Sequence, residues 1–176
     1  YSLPYDDCIQ AGGEVLARND QPIPNNMFGN VAGLRTYETD LDKAKALLAE
    51  AGYPNGGFSL LFTWFSGAGL QEKCAVLWQS NLRQLGIDLR IQEMAWEAMW
   101  NLAKGDPTAP SVQDVGGAIW WPTYVTPYDF LLAQYHCEDS PVFNWSYYCN
   151  PELDELMDTA FLYESIDPER AQELYA

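Results

Sequence analysis

The chain has 176 residues, with 9 Lys and Arg against 25 Asp and Glu, a net charge of −16, and 48% hydrophobic and 14% aromatic residues. That length supports one sizeable core, so one domain or part of one is expected rather than two. Nine scattered cations exclude nucleic acid and anionic membrane surfaces as expected partners, and a single histidine, His136, excludes multi-histidine metal sites and leaves any catalytic triad dependent on one residue.

Tyr1 opens the chain without an initiator Met or a basic-then-apolar segment, so a targeting peptide is expected upstream. Residues 1–36 carry many breakers (Pro4, Gly12, Gly13, Pro22, Pro24, Gly29, Gly33) and read as a loop-rich lead-in or inter-lobe segment. Residues 37–176 read as an α/β lobe, cut short at its C-terminal end because Asp167 to Tyr175 begins a helical pattern with no cap to close it. From Asp40 as N-cap, Leu41, Ala44, Leu47, Leu48 and Ala51 recur at helical spacing until Gly52 and Pro54. Phe58 to Trp64 reads as a buried strand, and Leu70 to Leu85 as a helix burying Cys74, Leu77, Trp78, Leu82 and Leu85. Ile87 to Gln92 alternates with period two, a half-buried strand. Ala95 to Lys104 is a short helix, and Val115 to Trp121 a third strand. Helices follow from Pro127 to Gln134 and from the N-cap Asn150, with Pro151 at N1, to about Glu164. Alternating helices and strands predict an α/β fold with a mainly parallel sheet flanked by helices.

In such a sheet ligands bind beyond the carboxyl ends of the strands. Trp120 and Trp121 end the third strand and Thr123 and Tyr124 come directly after it, and the rings of Trp120, Trp121 and Tyr124 suit a sugar ring or a peptide side chain. Ordinary core and hinge packing is the competing explanation for Trp120 and Tyr124. By the same logic Trp64, Ser66 and Gly67 follow the first strand. Cys137 and Cys149 flank a polar, aromatic loop that a disulfide would close, restraining the unfolded chain by roughly 3 kcal/mol, or they are two reduced thiols. Cys74 reads as core, and Cys8 as free or bonded elsewhere. Gly67-Ala68-Gly69 lacks the third glycine of a dinucleotide loop, and neither Cys-x-x-Cys nor EF-hand spacing occurs, so no cofactor or metal is expected. Most acids sit where helix dipoles favour them. Asp129 and Glu97 are the exceptions near aromatic segments, and they would be the acid pair of a carbohydrate-active hydrolase. Asn144-Trp145-Ser146 fits the glycosylation triplet, a pattern short enough to arise by chance.

The ordered segments Asp40-Leu-Asp-Lys-Ala-Lys-Ala-Leu-Leu-Ala-Glu-Ala-Gly-Tyr-Pro-Asn-Gly56, Gln79-Ser-Asn-Leu-Arg-Gln-Leu-Gly-Ile-Asp-Leu89, and Asn144-Trp-Ser-Tyr-Tyr148 leading into Asn150-Pro-Glu-Leu-Asp-Glu-Leu156 resemble the extracellular solute-binding proteins of the peptide and nickel ABC-importer class, family 5. The resemblance implies one lobe of a two-lobed type II clamshell, exported as a periplasmic protein or lipoprotein. Such a protein acts as a monomer that delivers an unchanged solute to a membrane permease. Dipeptide-binding members carry a cysteine pair around the same Asn-aromatic-Ser segment, which favours a Cys137–Cys149 bridge. In peptide-binding members an aspartate shortly after the third-strand tryptophan anchors the ligand's amino group, and Thr123 stands at that position here. Loss of that charge-assisted bond, worth roughly 1.5 to 3 kcal/mol, points the expected ligand toward a neutral oligosaccharide stacked on Trp120, Trp121 and Tyr124, with peptides, opines and metal chelates as the family's other ligands.

Overall fold

The computed structural model describes residues 1–13 and 16–176, so Glu14 and Val15 of the expected lead-in lie outside the described residues. The chain forms two compact units, one of residues 1–18 and 36–118 and the other of residues 19–35 and 119–176.

The first unit holds α1 (Tyr5–Gly12), α2 (Leu41–Glu50), β1 (Ser59–Phe65), α3 (Gly69–Gln84), β2 (Asp88–Met94), α4 (Trp96–Ala103) and β3 (Val115–Gly117). Its three strands are parallel in the order β2-β1-β3, with Ser59 opposite Asp88, Phe65 opposite Met94, and Phe62 opposite Val115. A parallel neighbour needs a helical crossover, and α3 and α4 supply the two that link these strands. Central β1 is buried along most of its length, whereas edge strand β2 alternates, as a strand covered on one face should. Phe62, Trp64, Ala75, Leu82, Leu85, Ile87 and Leu89 form the core. Thr63, wholly buried, satisfies its hydroxyl by donating to Gln113 Oε1 at 2.6 Å.

Asp40 caps α2 by accepting from the Lys43 backbone N–H at 2.9 Å, as its sequence position predicts. Two glycine turns pack backbone to backbone beside α3: Gly57 N–H donates to Gly86 O at 2.9 Å, and a Cβ on Gly86, whose φ is 75°, would lie 2.1 Å from Asn55 O. The loop-rich reading of the lead-in misses α1, whose Cys8 is joined to Cys74 of α3. This corrects the assignment of Cys74 to core packing alone. The expected third strand is also cut back from seven residues to Val115–Gly117, which puts Trp120 and Trp121 in a loop.

The second unit is helical: α5 (Pro127–Tyr135), α6 (Pro151–Tyr163) and α7 (Pro168–Tyr175), each with proline in its first turn. Proline's fixed φ and missing N–H suit that position. Thr126, Asn150 and Asp167 accept the cap hydrogen bonds. Met157, Ala160, Ala171 and Phe130 are buried between the helices. Residues 19–35 fold onto them: Gly29 N–H donates to Gln172 Oε1 at 2.8 Å, and a Cβ on Gly29 would lie 2.7 Å from the Pro127 ring.

Candidate ligand-binding site

Because β3 ends at Gly117, the segment from Ile119 to Thr126 spans the distance to α5 without regular structure. Loops must satisfy their own backbone donors, and here one carboxylate from the following helix does so. Asp129 Oδ2 accepts from the indole Nε1 of Trp120 at 3.1 Å and from the backbone N–H of Thr123 at 3.2 Å. Asp129 is itself fixed, since its own N–H donates to Thr126 Oγ1 in the α5 cap. The half-buried Trp120 ring meets Phe143 edge-to-face at 5.2 Å. This is the packing arrangement weighed against a ligand-facing role for Trp120.

Trp121 and Tyr124 are 86% and 69% exposed, and Thr123 is exposed between them. Large rings held so far from any packing partner are available to a ligand. Trp64 behaves differently: at 6% exposure it belongs to the first unit's core beside Phe62. The expectation that Trp64 reaches a ligand cleft is therefore corrected, because it lies in the stretch of central β1 that is buried on both faces, as the buried-strand reading of Phe58 to Trp64 has it. Ser66 and Gly67 are exposed past the end of β1, with Ser66 N–H donating to Met94 O at 2.8 Å and Gly67 at a φ of 95°.

Beyond α5, Cys137 and Cys149 form a disulfide closing the loop between α5 and α6. Inside that loop Asn144 is 2% exposed, and its amide donates to His136 O at 2.9 Å and Tyr148 O at 2.6 Å. The Asn144 side chain of the Asn144-Trp145-Ser146 triplet is thus engaged inside the loop, where it holds the turn. The Cys137 N–H donates to both Asp154 oxygens at 3.2 Å, tying the disulfide to α6. His136 lies 3.7 Å from Asp154 and 3.7 Å from Asp158, with Nδ1 3.1 Å from Cys137 O. Partial burial pulls its pKa down, but the Cys137 carbonyl and the two carboxylates together hold it above the ordinary value. Tyr128, stacked on Phe161 at 4.3 Å, donates to Asp158 at 2.8 Å. Burial, then that bond, push its phenol up to about 12.

Among the described residues no group of three His, Cys, Asp or Glu side chains is placed to hold a metal ion, and no helix is long and apolar enough to cross a membrane. Of the acids weighed for hydrolysis, Glu97 sits exposed in the first turn of α4, and Asp129 is occupied with loop bonds. The sequence reading singles out Asp129 without its role. The signal for that role is Thr126 three positions earlier, which places Asp129 at N3 of a capped helix whose open side faces the preceding loop.

Residues 1–141 match the family model of bacterial extracellular solute-binding proteins, family 5 Middle. The chain is 30% identical over 141 residues, 79% of its length and 26% of the relative's, to the probable D,D-dipeptide-binding periplasmic protein DdpA of Escherichia coli. It is 28% identical over 160 residues, 88% of its length and 30% of the relative's, to the glutathione-binding protein GsiB of Pectobacterium atrosepticum. The chain thus spans under a third of the length of these two relatives. Among solved structures, the periplasmic binding protein DppA of Helicobacter pylori in complex with peptide STSA superposes with a TM-score of 0.80 at 28% identity, over 99% of this chain and 33% of that one. The protein AppA from Clostridium difficile superposes at 0.82 with 21% identity, over 99% and 35%, and shares the fold. With the α/β architecture, the small parallel sheet and the family match in agreement, the chain belongs to the bacterial extracellular solute-binding proteins, family 5.

Proposed function

We propose that the protein of which this chain is part is the substrate-binding component of an ABC importer, capturing a peptide outside the cytoplasmic membrane and passing it unchanged to a permease. Family membership supplies the class, and the named relatives carry peptide-class ligands: a D,D-dipeptide, glutathione, and the peptide STSA. Peptide therefore replaces the oligosaccharide expected from the aromatic segment, and neither sugar nor hydrolase finds support among the relatives. The observation that carries the reading at the level of residues is the pair of outward rings, Trp121 and Tyr124, on a loop pinned from behind by Asp129. Trp121, Thr123 and Tyr124 are the ligand-facing set, Trp120 braces them, and Ser66 and Gly67 are a secondary surface. Trp64 is left out. The protein works as an exported monomer, periplasmic or held at the membrane's outer face by a lipid anchor.

Calorimetric titration of the full-length protein with Met-Leu, D-alanyl-D-alanine, reduced glutathione and maltotriose tests this reading. Saturable heat with one or more peptides, the ligand recovered intact, and none with maltotriose is expected. Binding of maltotriose alone, or consumption of any ligand, overturns it.

A further inference from the structure

We propose that Asp129 is the positioning residue of the ligand-facing loop, acting through Trp120 and Thr123 rather than by touching the ligand. The inference rests on the ligand reading of that loop. A single oxygen, Oδ2, receives an indole N–H from Trp120 at 3.1 Å and a backbone N–H from Thr123 at 3.2 Å. The two donors bracket Trp121 and Pro122, so one side chain holds both sides of the short arc that carries the most exposed ring in this loop. Pro122 has no N–H to give and a fixed φ, which leaves the arc few ways to rearrange once its ends are tied.

The bracket is anchored at three further points. Thr126 Oγ1 receives the Asp129 N–H, Phe143 backs the Trp120 ring, and Phe130, next in the chain, is buried in the second unit. No cation pairs with Asp129 among the described residues, and its two hydrogen bonds both point into the loop. The α5 cap is made by Thr126 and the Asp129 backbone, so a change of the Asp129 side chain leaves that cap in place. An asparagine Oδ1 has two lone pairs and can accept both donors, whereas alanine accepts neither. Position and charge are therefore separable by substitution.

The experiment uses the full-length protein labelled with 15N at its indole nitrogens, with Trp120→Phe assigning the Trp120 resonance, and titration with Met-Leu. Asp129→Ala is expected to move the Trp120 indole signal away from its hydrogen-bonded position, to lower the melting temperature modestly because two intramolecular hydrogen bonds are lost, and to weaken Met-Leu binding about tenfold because the loop is less often in its binding-competent arrangement. Asp129→Asn is expected to keep the indole signal and recover most of the lost affinity. A wild-type indole signal in Asp129→Ala overturns the proposal. So does an Asp129→Asn protein that keeps the signal yet binds as weakly as Asp129→Ala, because the carboxylate's charge would then meet the ligand directly. If the wild-type protein binds none of the four titrants, the ligand reading fails, and the indole signals still decide whether Asp129 sets the loop.

Discussion

Cys8 of α1 and Cys74 of α3 are joined by a disulfide across 66 positions of sequence. The bond fastens the chain's first helix to the helix that backs the parallel sheet, reinforcing the hydrogen bonds from Trp78 Nε1 to Ser2 Oγ and from Asn81 Nδ2 to Ser2 O. Closing a longer loop removes more entropy from the unfolded chain. In that model the Cys8–Cys74 bridge stabilises by about 4 kcal/mol and the 12-residue Cys137–Cys149 bridge by about 3. Chemical denaturation should therefore show Cys8→Ala/Cys74→Ala losing more stability than Cys137→Ala/Cys149→Ala. The reverse order would mean that native contacts around the 137–149 loop, not chain entropy, set the difference.

His136 gives the second unit a pH dependence of predictable sign. Its folded-state pKa stands above the ordinary 6.5 because the Cys137 carbonyl, Asp154 and Asp158 outweigh its partial burial. A raised value means that the native state binds the proton more tightly than the unfolded chain does. The stabilisation is fully present below about pH 6.5 and is lost as the pH rises through the raised folded value. Tyr128, held up to about 12, stays a neutral donor to Asp158 across this window. Melting temperatures of wild type and His136→Gln should differ more at about pH 5.5 than at about pH 8.5, and an equal difference at both would show that the imidazolium contributes nothing.

Two tryptophans, one from each unit, should respond differently to truncation. Trp64→Ala opens a cavity in the first unit's core and is expected to cost about 3–5 kcal/mol. Trp121→Ala removes a ring with little packing and should leave stability within about 0.5 kcal/mol, while weakening peptide binding. Denaturation and titration of both variants check the pair, and a stability loss in Trp121→Ala matching that of Trp64→Ala would contradict the exposed placement.

The paired glycine turns set a third kind of constraint. Gly86→Ala forces a Cβ onto the Asn55 carbonyl at a φ of 75°. About 1–3 kcal/mol of destabilisation is expected. Gly52→Ala, also at positive φ but in open space, should cost less, and equal losses would indicate backbone strain alone.

Most of the first unit is legible in the sequence because its signals are local. Leu41 to Ala51 and Leu82 to Leu85 mark helix faces, Asp40 and Gly52 mark ends, and the apolar run Phe58 to Trp64 marks the central strand. What escapes depends on distant partners. Cys8 pairs with Cys74 only once α1 lies against α3, and nothing in either residue's neighbours announces it. Trp120 and Trp121 extend a strand-like run, yet the chain leaves the sheet at Gly117, where pairing with β1 stops at Trp64. The candidate site is half legible for the same reason. Aromatic content points to residues 120–124, but which rings pack and which stand free follows from the Asp129 and Phe143 contacts. Trp64 shows the converse, a ring considered for the ligand that the sheet keeps in the core, as the apolar run around it indicates.

The measurement closest to the central claim is titration of the full-length protein, wild type and Trp121→Ala, with the four named ligands. Saturable binding of a peptide that is recovered unchanged, weakened by Trp121→Ala at unchanged stability, is the predicted result. A peptide bound equally well by both proteins would move the ligand away from the 120–126 loop. A ligand consumed during the titration would contradict a solute-binding role.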